Sequence, residues 1–230
     1  MIFIRYSVVM LSISLFSAVG FSQEKYVKGV VFEDTNKNRM LDPGEPLLKD
    51  IPVSSMSEIV LTNKDGLFEL PIAERDVIFI IKPSKYHFHL RSNFVPDFFH
   101  LIYPDGSPDF LNYPGVESAS IPDTLYFPLL PSAPDDNILV NMVADPQMPR
   151  EREVWFFRES IIPAMAAVPA DFTIFLGDIA DNNLGIYPPF MASLKALNTP
   201  VYGVFGNHDV NYRSPGNDFS AETFRANFGP

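Results

Sequence analysis

The stretch Tyr202-Gly-Val-Phe-Gly-Asn-His-Asp209 decides the fold that we predict for this chain of 230 residues. An apolar run ends there in a glycine, and an amide, an imidazole and a carboxylate follow at once. Two earlier apolar runs end in the same way: 138–144 leads to Asp145 and Gln147, and 172–176 leads to Gly177 and Asp178. Side chains that can bind a metal or an anion therefore follow three predicted strands.

The three runs are almost continuously apolar, which is typical of strands buried on both faces of a parallel sheet. The segments between them are long enough for crossover helices, which we predict over 150–168 and 188–197. Loops at the carboxyl ends of parallel strands converge and commonly bind ligands. We therefore expect Asp145, Asp178 and Asn207 to lie close together.

The first predicted helix contains a proline at position 163, which should kink it. Its apolar residues are expected on the buried side: Trp155, Phe156, Ile161 and Ile162.

Three motifs give this half of the chain a family resemblance: D-x-Q at 145–147, G-D-x-x-D at 177–181 and G-N-H-D at 206–209. In this order and spacing they resemble the motifs of the calcineurin-like metallophosphoesterases. The resemblance covers 137–230 and implies the first part of a four-layer α/β metallophosphoesterase fold. It also implies hydrolysis of phosphate monoesters or diesters by a hydroxide that bridges two divalent metal ions.

The resemblance assigns roles to individual residues. Asp145 would bind the first metal ion, Asp178 would bridge both ions, and Asn207 would bind the second. His208 would protonate or orient the leaving oxygen, and Asp209 would hold the His208 ring in one tautomer.

Gln147 departs from the usual family pattern, in which a histidine occupies this position. It can offer a carbonyl oxygen to a metal ion but no imidazole nitrogen, so preference could shift from zinc and iron toward manganese or magnesium. The identity of the two ions, among Mn, Fe, Zn and Mg, stays open.

The composition limits the classes of partner. A formal net charge of -11 disfavours nucleic-acid binding through a basic patch. The chain has no cysteine, which excludes disulfides, thiolate zinc sites and cysteine nucleophiles. The expected partner is a phosphoester substrate.

Residues 1–22 read as a secretory signal peptide, because one early basic residue, Arg5, precedes an apolar run over 8–19. That run is shorter than the roughly 20 residues that a membrane-spanning helix needs, which favours a cleaved signal peptide over the alternative of an uncleaved anchor. We expect a periplasmic or secreted mature protein with no membrane span after signal cleavage.

Residues 23–133 contain short apolar strand signals separated by turn residues, including Asp65-Gly66, a strong hairpin signal. They predict an all-β sandwich. The pattern resembles the immunoglobulin-like (Ig-like) domain that precedes the catalytic domain in some secreted bacterial members of the family. The proline-rich segment 128–136 is predicted to be the linker.

Residues 34–45, which we call the Asx loop, have oxygen-bearing side chains at the spacing of an EF-hand-like calcium loop. The side chains are Asp34, Asn36, Asn38, Asp42 and Glu45. Arg39 stands where the calcium loop has glycine, and no helix is predicted on either side. Two interpretations stay open: a weak calcium site, or a polar turn whose Asx side chains bind their own backbone.

His87 and His89 are two residues apart and would share one face of a strand. They could form a metal pair, although exposed strand histidines are the simpler interpretation.

Two functions are compatible with this pattern. The first is a secreted two-metal phosphoesterase, and the alternative is a non-catalytic secreted β-sandwich binding module with a remnant phosphoesterase half. The family's further histidine motifs are not found before Pro230. We therefore expect the 230-residue chain to behave as a fragment that binds metal weakly and is nearly inactive.

Overall fold

The computed structural model describes residues 25–134 and 136–230. The predicted signal peptide lies outside these residues. Within them, no helix has the length and apolar character needed to cross a membrane.

The first part of the chain forms two four-stranded sheets. One sheet has the order β4-β1-β8-β6 and the other has the order β3-β2-β5-β7. The strands are β1 (Lys25–Glu33), β2 (Pro52–Ser54), β3 (Ile59–Leu61), β4 (Leu67–Ile72), β5 (Asp76–Ile80), β6 (Tyr86–Phe88), β7 (Phe99–Ile102) and β8 (Leu125–Pro131). All pairings are antiparallel except that of β1 with β8, which is parallel.

The two sheets share one apolar core, because alternate residues of their strands point to a common interior. The first sheet contributes Val27, Val31, Leu70, Leu125, Phe127 and Leu129, and the second contributes Val53, Ile78, Ile80 and Ile102. Two sheets around one core agree with the predicted sandwich. The finer Ig-like assignment stays a prediction.

The predicted linker begins within this core. Strand β8 continues to Pro131, and Leu129 is buried at 1% exposure. The prediction was wrong for this part of the segment, since the prolines at 128 and 131 lie in a strand rather than in a linker.

The second part of the chain contains a parallel three-stranded sheet of order β11-β10-β9. The strands are β9 (Val140–Val143), β10 (Phe172–Phe175) and β11 (Val201–Gly203). All three predicted strands are present, and their carboxyl ends share one edge of the sheet.

Only one face of this sheet is well buried. Thr173, Phe175 and Val201 face the helices and are inaccessible, whereas Met142 on the other face is 69% exposed. Burial on both faces was therefore a wrong prediction for the described residues.

The connections between the strands contain helices, as predicted. The α-helices are α1 (Glu151–Phe156), α2 (Ile162–Ala166), α3 (Tyr187–Ser193) and α4 (Glu222–Phe228). A π-helical segment, Phe157–Ile161, joins α1 to α2, and 3-10 segments flank α3 at Leu184–Ile186 and Leu194–Leu197.

The π-helical segment changes which residues of the first connection are buried. Val154, Phe157 and Ile162 face the core, whereas Trp155, Phe156 and Ile161 are each at least 44% exposed. Pro163 lacks an N–H group, and the helix widens immediately before it. The prediction was therefore correct for Ile162 and wrong for the other three residues.

The two parts of the chain are connected by side-chain hydrogen bonds. The Tyr113 hydroxyl donates to Asn183 Oδ1 at 3.1 Å, and the Asn211 amide donates to the Tyr113 carbonyl at 2.9 Å. The Tyr103 hydroxyl donates to buried Glu222 at 3.1 Å. The long segment between β7 and β8 thus braces the loops that follow β10 and β11.

Candidate metal centre

The loops after β9, β10 and β11 are joined by backbone hydrogen bonds. Gln147 N donates to Asp178 O at 2.8 Å, and Asn182 N donates to His208 O at 3.1 Å. A further bond of 3.1 Å runs from Met148 N to Ile179 O. The structure therefore brings the three predicted ligand loops together at one edge of the sheet, as the strand order requires.

Three of the predicted metal-binding residues have left-handed backbone conformations. The φ angles are 45° at Asp145, 39° at Gln147 and 48° at Asp178. Such angles are uncommon outside glycine, and residues held in them cluster at functional sites. Three of the eleven non-glycine residues with positive φ in the described part of the chain are thus residues predicted to bind metal ions.

Gly206 allows the loop after β11 to approach the loop after β10. A Cβ atom at this position would lie 2.1 Å from Asp178 N and 2.2 Å from Asp178 Oδ1. No larger residue fits without moving one of the two loops. The glycine therefore fixes the short distance between Asp178 and the segment that contains Asn207.

Asp178 is the buried carboxylate of the group, at 7% exposure. Its Oδ1 accepts a hydrogen bond from His208 N at 2.8 Å. Asp145, Gln147 and Asn207 are exposed, and within residues 25–134 and 136–230 their side chains have no hydrogen-bond partner. We call these four residues together with His208 the strand-end site.

The donor set of the strand-end site suits hard divalent cations. It offers two carboxylates and two amide oxygens, which magnesium and manganese accept more readily than imidazole-preferring ions do. In the part of the chain that the structure describes, no group of three His, Asp or Glu side chains is placed to hold a metal ion. The four side chains therefore supply oxygen donors of a suitable type, and they include only two charged ligands.

His208 does not contact Asp209 in the way that the sequence suggested. Its Nδ1 lies 2.9 Å from Asn182 Oδ1 and 3.4 Å from Asp181 Oδ1. The expectation that Asp209 holds the His208 ring was therefore wrong.

Asp209 instead holds backbone. It is fully buried and accepts N–H bonds from Ala180 at 2.9 Å, Ile179 at 3.2 Å and Gly206 at 3.1 Å. Burial raises the pKa of Asp209, and these three N–H groups act in the opposite direction. The carboxylate joins the loops after β10 and β11 and belongs to the framework beneath the strand-end site.

Tyr187 lies beside Asp209. Burial raises the pKa of Tyr187, and the Asp209 carboxylate adds to the effect. The buried hydroxyl makes no bond of ordinary hydrogen-bond geometry with the described residues.

The Asx loop differs from the strand-end site because its oxygens already have donors. Asp34 is fully buried and accepts from Asn38 N at 3.1 Å, Arg39 N at 2.8 Å and His89 Nε2 at 2.7 Å. Glu45 Oε1 accepts from Thr35 N at 2.9 Å.

The remaining Asx side chains bind one another and the backbone of the loop. Asp42 Oδ2 accepts from the Asn36 and Asn38 amides, both at 2.7 Å. The two amide oxygens accept N–H bonds from positions 38 and 40. The geometry supports the polar turn rather than the calcium loop.

The structure also decides between the two interpretations of His87 and His89. His89 is buried against Asp34, and exposed His87 contacts the Ser132 hydroxyl at 2.8 Å. The interpretation of two exposed histidines is correct for His87 and wrong for His89.

Comparison with protein families identifies both parts of the chain. Residues 34–114 match the model described as the N terminal of calcineurin-like phosphoesterase, and residues 143–229 match the model described as calcineurin-like phosphoesterase. The chain belongs to the calcineurin-like metallophosphoesterases. No curated protein matches it significantly.

These matches confirm the resemblance drawn from the three motifs. They support a metal-dependent phosphoesterase, and thus a hydrolase of phosphoester bonds, at the level of the superfamily.

Asn182 and Tyr212 are two residues of the site that sequence reasoning missed. Both contact the His208 network: Asn182 through its amide oxygen, and Tyr212 by donating its hydroxyl to that same oxygen. Asn182 directly follows the G-D-x-x-D motif, and its residue type tolerates the left-handed φ of 62° observed there. The position of Asn182 next to this motif was the sequence signal that could have indicated its place in the site.

Proposed function

We propose that this protein is a secreted enzyme that hydrolyses phosphate monoesters or diesters with two divalent metal ions at the strand-end site. The observation that supports this most strongly is the joining of three loops that carry Asp145, Asp178 and Asn207. Positive φ angles at the first two of these residues add to it.

In the proposed site, Asp178 is the residue suited to contact both ions. One of its oxygens is oriented by His208 N, and a carboxylate can present its second oxygen to another cation. Asp145 and Gln147 would contact one ion, and Asn207 the other. Bound divalent ions lower the pKa of water and withdraw negative charge from phosphoryl oxygens.

His208 would act on the leaving oxygen. Contact of its Nδ1 with Asn182 and Asp181 leaves Nε2 as the nitrogen available to a substrate. A charged ring could donate a proton from Nε2 as the ester bond breaks.

Metal binding to the 230-residue chain tests the proposal, with free Mn²⁺ measured by electron paramagnetic resonance. We expect millimolar affinity, as for sparse oxygen sites, and at least about tenfold weaker binding in Asp178→Asn. The matched control Asp123→Asn changes an exposed aspartate outside the site and should bind as the parent does. Equal binding by the parent and Asp178→Asn would contradict the proposal and favour the binding-module alternative.

Hydrolysis of an aryl phosphate monoester and of the corresponding diester would define the substrate class. With two charged ligands at the site, we expect turnover by this chain close to that of the buffer. Any turnover should require Mn²⁺ and disappear in Asn207→Ala, while Asn217→Ala, an exposed asparagine, should retain it.

Export is a separate part of the proposal. The apolar run over 8–19 supports a cleaved signal peptide. Sequencing the amino terminus of the protein recovered from outside the cytoplasm should give a start after Gly20 or Ser22. Recovery of only uncleaved protein in the cytoplasm would contradict export.

A further inference from the structure

We infer that Asn182 is the positioning residue for His208, and that it fixes the ring with Nδ1 protonated and Nε2 available. This inference rests on the proposed function for its consequence in catalysis, but its geometry stands apart from metal binding. Asn182 and His208 are paired twice. Asn182 N donates to His208 O at 3.1 Å, and His208 Nδ1 lies 2.9 Å from Asn182 Oδ1.

The orientation of the Asn182 amide follows from its second contact. Asn182 Nδ2 donates to Asp181 Oδ1 at 3.2 Å, and an ionised carboxylate can only accept. The amide nitrogen therefore faces Asp181, so the amide oxygen must face His208. Because a carbonyl oxygen cannot donate, the proton of this contact lies on His208 Nδ1.

Tyr212 supports the same orientation. Its hydroxyl donates to Asn182 Oδ1, so this oxygen is placed between two donors. Tyr212 belongs to the loop after β11 and is 58% exposed. The contact links that loop to the His208 ring through a single amide group.

The backbone at Asn182 explains the choice of residue. At a φ of 62°, asparagine and aspartate are tolerated better than other side chains, with glycine the least restricted. Asn182→Gly therefore removes the amide without straining the loop, and Asn182→Asp retains an acceptor. Asn198 has a similar φ of 54° at the opposite end of the sheet, so Asn198→Gly is a matched control.

The test is nitrogen-15 NMR of the histidine rings in the metal-free 230-residue chain. Spectra recorded at a pH of about 8.5, above the ordinary range of histidine, are used to read the tautomer. His208→Gln identifies the His208 signals among those of the four histidines. The measurement needs neither metal nor turnover, so it decides the inference even if the proposed function fails.

We expect Nδ1–H to predominate at His208 by about tenfold, the ratio that one net hydrogen bond supports. Asn182→Gly should reduce this preference, since only the Asp181 carboxylate then remains near His208 Nδ1, at 3.4 Å. Asn182→Asp should restore it, and Asn198→Gly should leave it unchanged. A predominance of Nε2–H in the parent chain, or unchanged His208 signals in Asn182→Gly, would overturn the inference.

Discussion

The Asx loop and the strand-end site contain similar side chains and differ in what those side chains contact. Both offer aspartate and amide oxygens at spacings that suit a metal ion. In the Asx loop, backbone N–H groups, asparagine amides and His89 occupy the oxygens. In the strand-end site, backbone hydrogen bonds and the buried Asp209 side chain hold the loops together. The side chains of Asp145 and Asn207 take no part in these bonds and are exposed.

The difference shows that ligand spacing in a sequence is a weak guide to a metal site by itself. A short loop can satisfy its own polar groups, because its donors and acceptors are close in the chain. Ligands that come from three separate strand ends cannot do so, and other residues must hold their backbone. The two regions should therefore respond in opposite ways to matched substitutions.

The largest expected effect is the difference in stability between alanine substitutions at two glycines. Gly206→Ala would place a Cβ atom 2.1 Å from Asp178 N, so we expect a loss of about 3 kcal/mol in unfolding free energy and of metal binding. Gly44→Ala, in the Asx loop, meets no atom within 4 Å and should cost about 1 kcal/mol through its φ of 97°. Urea unfolding of both variants measures the difference, and equal losses would contradict the close approach at Gly206.

The second effect is that substitutions of two aspartates should act in opposite ways on stability and on Mn²⁺ binding. Asp34→Asn removes a buried charge from three donors and should destabilise the fold by about 3 kcal/mol with Mn²⁺ binding unchanged. Asp145→Asn changes an exposed residue, so stability should stay within about 0.5 kcal/mol. Its Mn²⁺ affinity should nonetheless fall by at least about tenfold. If Asp34→Asn lost metal binding while Asp145→Asn retained it, the assignment of the two regions would be reversed.

A smaller effect concerns pH. Burial alone would raise the pKa of Asp34, but hydrogen bonds from Arg39 N, His89 and neighbouring backbone outweigh it and lower the pKa below 3.8. A lowered folded pKa means that the carboxylate stabilises the fold above pH 3.8 and loses this contribution as the pH falls through the folded value. The stability difference between the parent and Asp34→Asn should therefore shrink from pH 5 toward pH 3. A constant difference over that range would contradict this account of Asp34.

The smallest expected effect is that of calcium on the Asx loop. Because the oxygens of Asp34, Asn36 and Glu45 already accept hydrogen bonds, millimolar calcium should raise the melting temperature by less than about 1 °C. A rise of several degrees that disappears in Asp42→Ala would show that calcium displaces these bonds.

The sequence predicted the parts of the fold that depend on local pattern. The apolar runs before Gly177 and Gly206 predicted two strands and the loops that follow them. They also predicted that Asp178 and Asn207 lie close together. It did not predict that Trp155 and Phe156 are exposed, because the π-helical segment before Pro163 interrupts the period of 3.6 residues on which burial was judged.

The contacts that were missed join residues far apart in the chain. His89 and Asp34 are separated by 55 residues, and His208 and Asn182 by 26. No local period of apolar residues reports such pairs. Asp209 was assigned to the His208 ring because it follows His208 directly, but adjacent side chains need not point the same way, and Asp209 turns toward the loop after β10.

The most direct test of the account is paramagnetic broadening of backbone amide signals by substoichiometric Mn²⁺ in the 230-residue chain. It reports the position of the ion rather than only its affinity, so it compares the two regions in one spectrum. The account predicts that the amides of Gly206, His208 and Ile179 broaden first, while those of residues 36–45 keep their intensity. Broadening that begins in residues 36–45 and spares Gly206 and His208 would contradict it.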